Sequence, residues 1–188
     1  MSFRSCVSSF VIALLDNRWK EGILSSVKLY IMRHGAAEDR SSSGRDDDRA
    51  LTAPGRERVR DVARKLVSLG EAPLHVVSSP LVRALQTAEI VAATIELEGA
   101  VEVSRELAPG GQGAGLVESL FDIGRKRAML VGHEPDLSLL AGLLIGEPIP
   151  VPLGKAMVLG LSSKPAGGAL RFVLDPQALD LSIDLRAP

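Results

Sequence analysis

The sequence predicts a single α/β domain in three layers, a mostly parallel sheet with helices on both faces, and three observations carry that prediction. Short apolar runs alternate with longer segments whose apolar residues recur at helical spacing, the pattern of strands joined by helical crossovers. The chain has 188 residues, a length that suits one domain. Its composition is 46% hydrophobic and 24% charged, enough apolar material for a core on both sides of a sheet, which excludes disorder throughout.

Residues 27–32 form the first strand, short and chiefly apolar, and a polar Ser/Asp/Arg loop follows over 40–49. Thr52, with Pro54 just inside, opens a helix to about residue 69; Val59, Val62, Ala63, Leu66 and Leu69 share one face and Gly70 stops it. The second strand is 74–77. Ser79-Pro80 opens a second helix carrying Leu81, Leu85, Ala88, Val91, Ala92 and Ile95, which ends near Gly99, and 101–103 make a short strand. A glycine-rich loop over 109–115 leads into a helix over 116–123, and 128–131 is a third buried strand. Glu134-Pro135 opens a helix to about residue 145. After a proline-rich connection, 157–161 and 170–174 are two strands that close the edge of the sheet.

Residues 1–27 read as an N-terminal extension ahead of a domain spanning 28–188. Arg4 and the apolar stretch after it partly resemble an export signal, but two serines interrupt the stretch and no Ala-x-Ala cleavage pattern follows, so a cytoplasmic location is expected. The lone Cys6 cannot form an internal disulfide, which suits a reducing compartment. The longest apolar run, residues 10–15, falls far short of the roughly 20 residues of a membrane span. With 22 basic against 23 acidic residues and few aromatics, the chain offers neither general attraction for phosphodiester backbones nor a platform for stacking bases. The expected protein therefore binds no nucleic acid and no membrane, and is a monomer. No cofactor is expected either, and the histidines at 34, 75 and 133 show no metal-ligand spacing.

The chemistry concentrates at three strand ends. Arg33-His34-Gly35 follows the first strand, Ser78 to Ala88 follows the second with Arg83 in the first turn of its helix, and Gly132-His133-Glu134 follows the third. Open α/β sheets bind ligands outside the carboxyl ends of their strands. Two arginines and two histidines thus converge on one rim. Guanidinium forks match phosphate oxygens, and histidine can attack phosphorus, so a phosphoryl group suits this set better than a carboxylate.

Four motifs in order, Tyr30-Ile31-Met32-Arg33-His34-Gly35-Ala36-Ala37, Asp48-Arg49-Ala50-Leu51-Thr52-Ala53-Pro54-Gly55, the Ser78 to Ala88 run and Val131-Gly132-His133-Glu134-Pro135-Asp136-Leu137-Ser138, resemble the histidine phosphatase superfamily. Within it they look most like the small SixA-type phosphohistidine phosphatases. The resemblance runs from about residue 28 to 174 and implies a phosphoglycerate mutase-like fold. It implies His34 as a nucleophile that becomes phosphorylated, Arg33, Arg83 and His133 as the phosphate clamp, and Arg49 joining from the loop. It also implies a phosphorylated protein as the partner, a histidine-containing phosphotransfer domain being one candidate.

Other features receive plainer readings. His75 has no motif around it and is a surface or satisfied core histidine. Asp46-Asp47-Asp48 reads as a solvated charge run rather than a metal cluster. The run of glycines from 110 to 115 lacks the flanking residues of a phosphate-cradling loop and is a connector, and Lys155 is a solvated lysine at the rim. Where mutase-like relatives carry a catalytic acid, Glu106-Leu107-Ala108-Pro109 puts a proline, leaving Glu38, Asp46 and Glu134 as carboxylates that could serve. The segments between motifs are short, which implies an open site. The expected activity is metal-independent hydrolysis of phosphohistidine in proteins; the rival readings are a phosphomonoesterase for a small metabolite and a non-catalytic phosphoprotein-binding module.

Overall fold

In the computed structural model, residues 27–122, 126–149, 153–164 and 167–183 are described, so the sequence readings for 1–26 lie outside the described residues. Seven strands form one sheet: β1 (Val27–Arg33), β2 (His75–Ser78), β3 (Glu102–Val103), β4 (Arg127–Gly132), β5 (Val158–Lys164), β6 (Gly167–Leu174) and β7 (Leu181–Ser182), in the spatial order β3-β2-β4-β1-β5-β6-β7. The first four are parallel neighbours; β5, β6 and β7 continue from β1 as an antiparallel meander. The α/β class is as expected, and parallel pairing is confined to the half of the sheet that carries the motifs. β7 has no counterpart in the sequence reading, although Leu179, Leu181 and Ile183 alternate there with Asp180 and Ser182.

Among the described residues four α-helices cover this sheet: α1 (Ala53–Ser68), α2 (Val82–Thr94), α3 (Gly113–Asp122) and α4 (Asp136–Ile145). Alternation along β1 sends Leu29 and Ile31 to one face and Tyr30 and Met32 to the other, and all four are buried. Tyr30 and Met32 pack with Val59, Val62, Ala63 and Leu66 of α1 and Ala84, Ala88 and Val91 of α2. Leu29 and Ile31 pack with Val117 and Leu120 of α3 and Leu137, Leu140 and Ala141 of α4. This is the three-layer arrangement. On α1 the fully buried Val59, Val62 and Leu66 contribute together roughly 5 to 9 kcal/mol of transfer free energy.

The Thr52 side chain accepts from Gly55 N at 3.0 Å and caps α1, with Pro54 in the first turn as expected. α2 starts at Val82 rather than at Ser79, because Ser79 N donates to Val131 O at 2.9 Å and so prolongs the sheet pairing. α3 starts at Gly113, inside the expected loop. A Cβ there would stand 3.1 Å from Leu140, so the glycine lets α3 lie close against α4. Toward the end of the sheet away from His34, Glu71 accepts from Lys28 Nζ at 2.9 Å, Tyr30 Oη at 2.7 Å and Arg171 Nη1 at 2.9 Å. Among the described residues no helix is long and apolar enough to cross a membrane.

Candidate active site

Because β2, β4 and β1 lie side by side and parallel, with Arg33 opposite Gly132 and Ser78 opposite Val131, their carboxyl ends meet at one edge. Pairing runs one residue further on each side: His34 N donates to Gly132 O at 3.1 Å, as Ser79 N does to Val131 O. That register brings the rings of His34 and His133 to a centroid separation of 5.1 Å, tilted by 53°. Arg83 arrives in the first turn of α2. Exposure of His34, Arg83 and His133 is only 7%, 5% and 4%, so the site is a walled recess rather than a solvated turn.

Glycine is required where the His34 loop meets α1. A Cβ on Gly55 would stand 2.2 Å from Ala36 O, and one on Gly35 would stand 2.8 Å from Val59 Cγ2. The same close approach lets Gly35 N donate to Thr87 Oγ1 at 3.0 Å, while Thr87 Oγ1 donates to Arg83 O at 2.7 Å. One buried hydroxyl therefore ties the loop of His34 to the helix of Arg83.

His34 Nδ1 lies 2.7 Å from Gly35 O. A carbonyl can only accept, so Nδ1 carries the proton and Nε2 of the neutral ring keeps its lone pair. Burial pushes the His34 pKa down to about 4; the Gly35 bond resists, and the charges of Arg83, Arg33 and Lys155 add to the depression. Burial likewise lowers His133 to about 3, aided by His34 and Arg83 and opposed by Asp46. Both rings are neutral at pH 7. His133 Nε2 is 2.8 Å from Ser79 Oγ, and Ser79 Oγ accepts from Leu81 N at 3.3 Å.

The arginines are held by backbone. Arg33 Nη1 donates to Leu153 O at 2.7 Å, and Arg83 Nη1 donates to Asp46 O at 2.9 Å. In both, Nε is buried without a partner, and so is His133 Nδ1. Three unpartnered polar nitrogens buried around one histidine are costly unless an anion completes them. Asp46 also sets its carboxylate 3.1 Å from Arg83 Nη2 and 2.8 Å from Arg49 Nε. Partial desolvation raises the Asp46 carboxyl, but Arg83 and Arg49 outweigh it and hold the pKa below the usual carboxylate value.

The structure thus brings together Arg33, His34, Arg83 and His133. Arg49 stands one layer out, donating to Asp46 and, through Nη1, to Glu38 O at 3.0 Å. Asp46 is exposed, as a solvated charge run would be, yet it is the candidate acid that touches the clamp. One oxygen of Glu134 serves the fold: Oε1 accepts from Ser138 Oγ at 2.9 Å and Leu153 N at 3.3 Å, which fixes the residue whose carbonyl holds Arg33, while Oε2 is buried without a partner. Sequence reasoning gave no role to Ser79, Thr87 or Leu153; the first two sit inside a quoted motif, whereas nothing in the sequence flags Leu153. His75 lies at the opposite end of β2 from the site. Among the described residues no group of three or more His, Cys, Asp or Glu side chains is placed to hold a metal ion.

The chain's similarities run in one direction. The family model described as histidine phosphatase superfamily (branch 1) matches residues 29–108. The phosphohistidine phosphatase SixA of Escherichia coli is 31% identical over 162 residues, covering 83% of this chain and 98% of that protein. An uncharacterized protein of Picosynechococcus is 41% identical over 142 residues, covering 73% of this chain and 86% of that one. Among solved structures, the protein histidine phosphatase SixA complexed with tungstate matches with a TM-score of 0.75 and 26% identity, over 82% of this chain and all of that one.

Proposed function

The chain belongs to the histidine phosphatase superfamily, and on that premise we propose that it is a phosphatase whose substrate is phosphohistidine carried on a protein in the cytoplasm, hydrolysed through a phosphorylated His34 without a metal. One observation carries the reading: a buried, neutral His34, its Nε2 lone pair set by the Gly35 carbonyl, stands among buried nitrogens that lack partners.

In the proposed reaction, His34 Nε2 attacks phosphorus while the bond from phosphorus to the substrate nitrogen breaks, and the substrate imidazole leaves with its electron pair and takes up a proton. Arg33 and Arg83 hold the equatorial oxygens as charge develops on them. The Ser79 hydroxyl, with one lone pair engaged by Leu81 N, can donate to His133 Nε2; His133 Nδ1 then carries the ring proton and becomes a third donor. The arriving phosphoryl anion also offsets the positive charges that depress both histidines. Water then attacks phosphohistidine 34, releasing inorganic phosphate and restoring the neutral ring.

Support for phosphohistidine over an alcohol ester comes from proton supply. A leaving nitrogen can be protonated from solvent, whereas an alkoxide needs a positioned acid. The resemblance puts Pro109 where mutase-like relatives carry an acid; of the other carboxylates, Asp46 is kept ionised by two arginines, Glu38 is exposed, and Glu134 has one oxygen bonded to Ser138 and Leu153 and the other buried without a partner. The test is a comparison of kcat/KM for a histidine-phosphorylated protein with a panel of phosphomonoesters in chelated buffer. The phosphohistidine protein should lead; a small phosphomonoester turned over faster would establish the metabolite reading instead.

A further inference from the structure

Beside the phosphoryl recess lies an open groove of about 880 Å³, far larger than the phosphoryl group needs. Its walls are mainly Ala36, Pro54, Met157, Pro176, Ala178 and Leu181, so the surface it offers is chiefly apolar. It is continuous with the catalytic loop: Ala36 is two residues beyond His34, and Ala156 N donates to His34 O at 3.2 Å from within the 154–157 segment that forms one wall.

We propose that this groove seats the polypeptide next to the phosphorylated side chain of a partner protein, an inference that rests on the phosphohistidine-protein reading above. A sugar or other polyhydroxylated remainder would need polar side chains along the walls. Two of those present hold the walls themselves, Arg58 Nη1 donating to Pro176 O at 2.8 Å and the Asp175 carboxylate accepting from Gln177 N at 2.7 Å and Ala178 N at 2.8 Å, and apolar side chains supply most of the lining surface. Apolar side chains, by contrast, find Leu181, left 44% exposed, and Ile183 two residues on, left 83% exposed. Apolar surface rimmed by charge is the composition of protein contact sites.

Charge narrows the partner further. Lys155 is exposed at the groove and near enough to His34 to act on it electrostatically, and it has no carboxylate partner among the described residues. Asp175 and Asp180 also line the groove, but Lys155 is the lining charge that acts on His34, so it suits an acidic residue beside the phosphorylated one. The occupant is therefore a surface segment that presents its phosphorylated residue between apolar side chains and an acidic one.

Two substrates separate the groove from the chemistry: a histidine-phosphorylated phosphotransfer domain and free phosphohistidine. Leu181→Asp and Ala178→Glu, made singly, place a charge against the docked segment without touching the recess. For the phosphoprotein, kcat/KM should fall about tenfold or more, mainly through KM, as for a contact residue at the centre of an interface. For free phosphohistidine it should stay within about twofold, which also shows that the variants are folded. Unchanged turnover of the phosphoprotein overturns the proposal, and so does an equal fall for both substrates. If the variants slow only a small apolar phosphomonoester, the groove holds that molecule and not a protein. Failure of the wild type on both phosphohistidine substrates would sink the underlying reading, a result distinct from insensitivity to the groove variants.

Discussion

Acidifying the protein from about pH 7 to about pH 5 should cost about 4 kcal/mol of stability, and the cost should trace to the two histidines of the recess. In the unfolded chain a histidine titrates near 6.5, whereas burial holds His34 at about 4 and His133 at about 3. The sign follows from which state binds more protons. Between 6.5 and 4 the unfolded chain takes up a proton at each ring and the folded one does not, so stability falls as pH falls through that window. Integrated between those two pH values, each ring accounts for about 2 kcal/mol. Urea unfolding followed by far-ultraviolet circular dichroism at both pH values measures the loss. His34→Gln and His133→Gln should each remove about 2 kcal/mol of the pH-dependent difference, whatever they do to stability at neutral pH. If both variants lost as much as the wild type, the rings would be charged in the folded protein and the neutral-nucleophile argument would fail.

Glu71→Gln should destabilise by roughly 2 to 3 kcal/mol, because the bonds from Arg171, Tyr30 and Lys28 outweigh desolvation and hold its pKa at about 2. That contribution is present above the ordinary carboxylate pKa and lost as pH falls toward about 2; kcat should not change, the network being at the far end of the sheet. Asp46→Asn should bind vanadate several-fold more tightly and change phosphohistidine turnover little, since it removes a carboxylate that rivals the anion for Arg83 Nη2; weaker vanadate binding would show that Asp46 orients Arg83 instead. Chelator should leave activity intact while vanadate inhibits competitively, and loss on chelation restored by a divalent ion would refute the metal-free reaction.

The strands and motifs that build the recess were legible because they are local: apolar runs of period two, cap residues, and Arg-His-Gly at a strand end. What escaped depends on contacts between distant segments. Asp46 looks like one of three solvated carboxylates until the fold lays its carbonyl and carboxylate on Arg83. Leu153 carries no chemistry of its own, yet its backbone joins Glu134 to Arg33. Ser79-Pro80 has the residues of a helix start, but the bond from Ser79 N to the sheet postpones the helix to Val82. Gly113 argues against helix by propensity; packing against Leu140 overrides it.

The central claim, a covalent intermediate on His34, is tested most directly by rapid quenching of a reaction with a radiolabelled phosphohistidine protein, followed by peptide mapping at alkaline pH, where phosphohistidine survives. An acid-labile label should appear on the His34 peptide before phosphate is released, decay as phosphate accumulates, and be missing from His34→Ala, which should stay folded and lose turnover. Phosphate release with no label on the wild-type enzyme, or label and turnover retained by His34→Ala, would contradict the account.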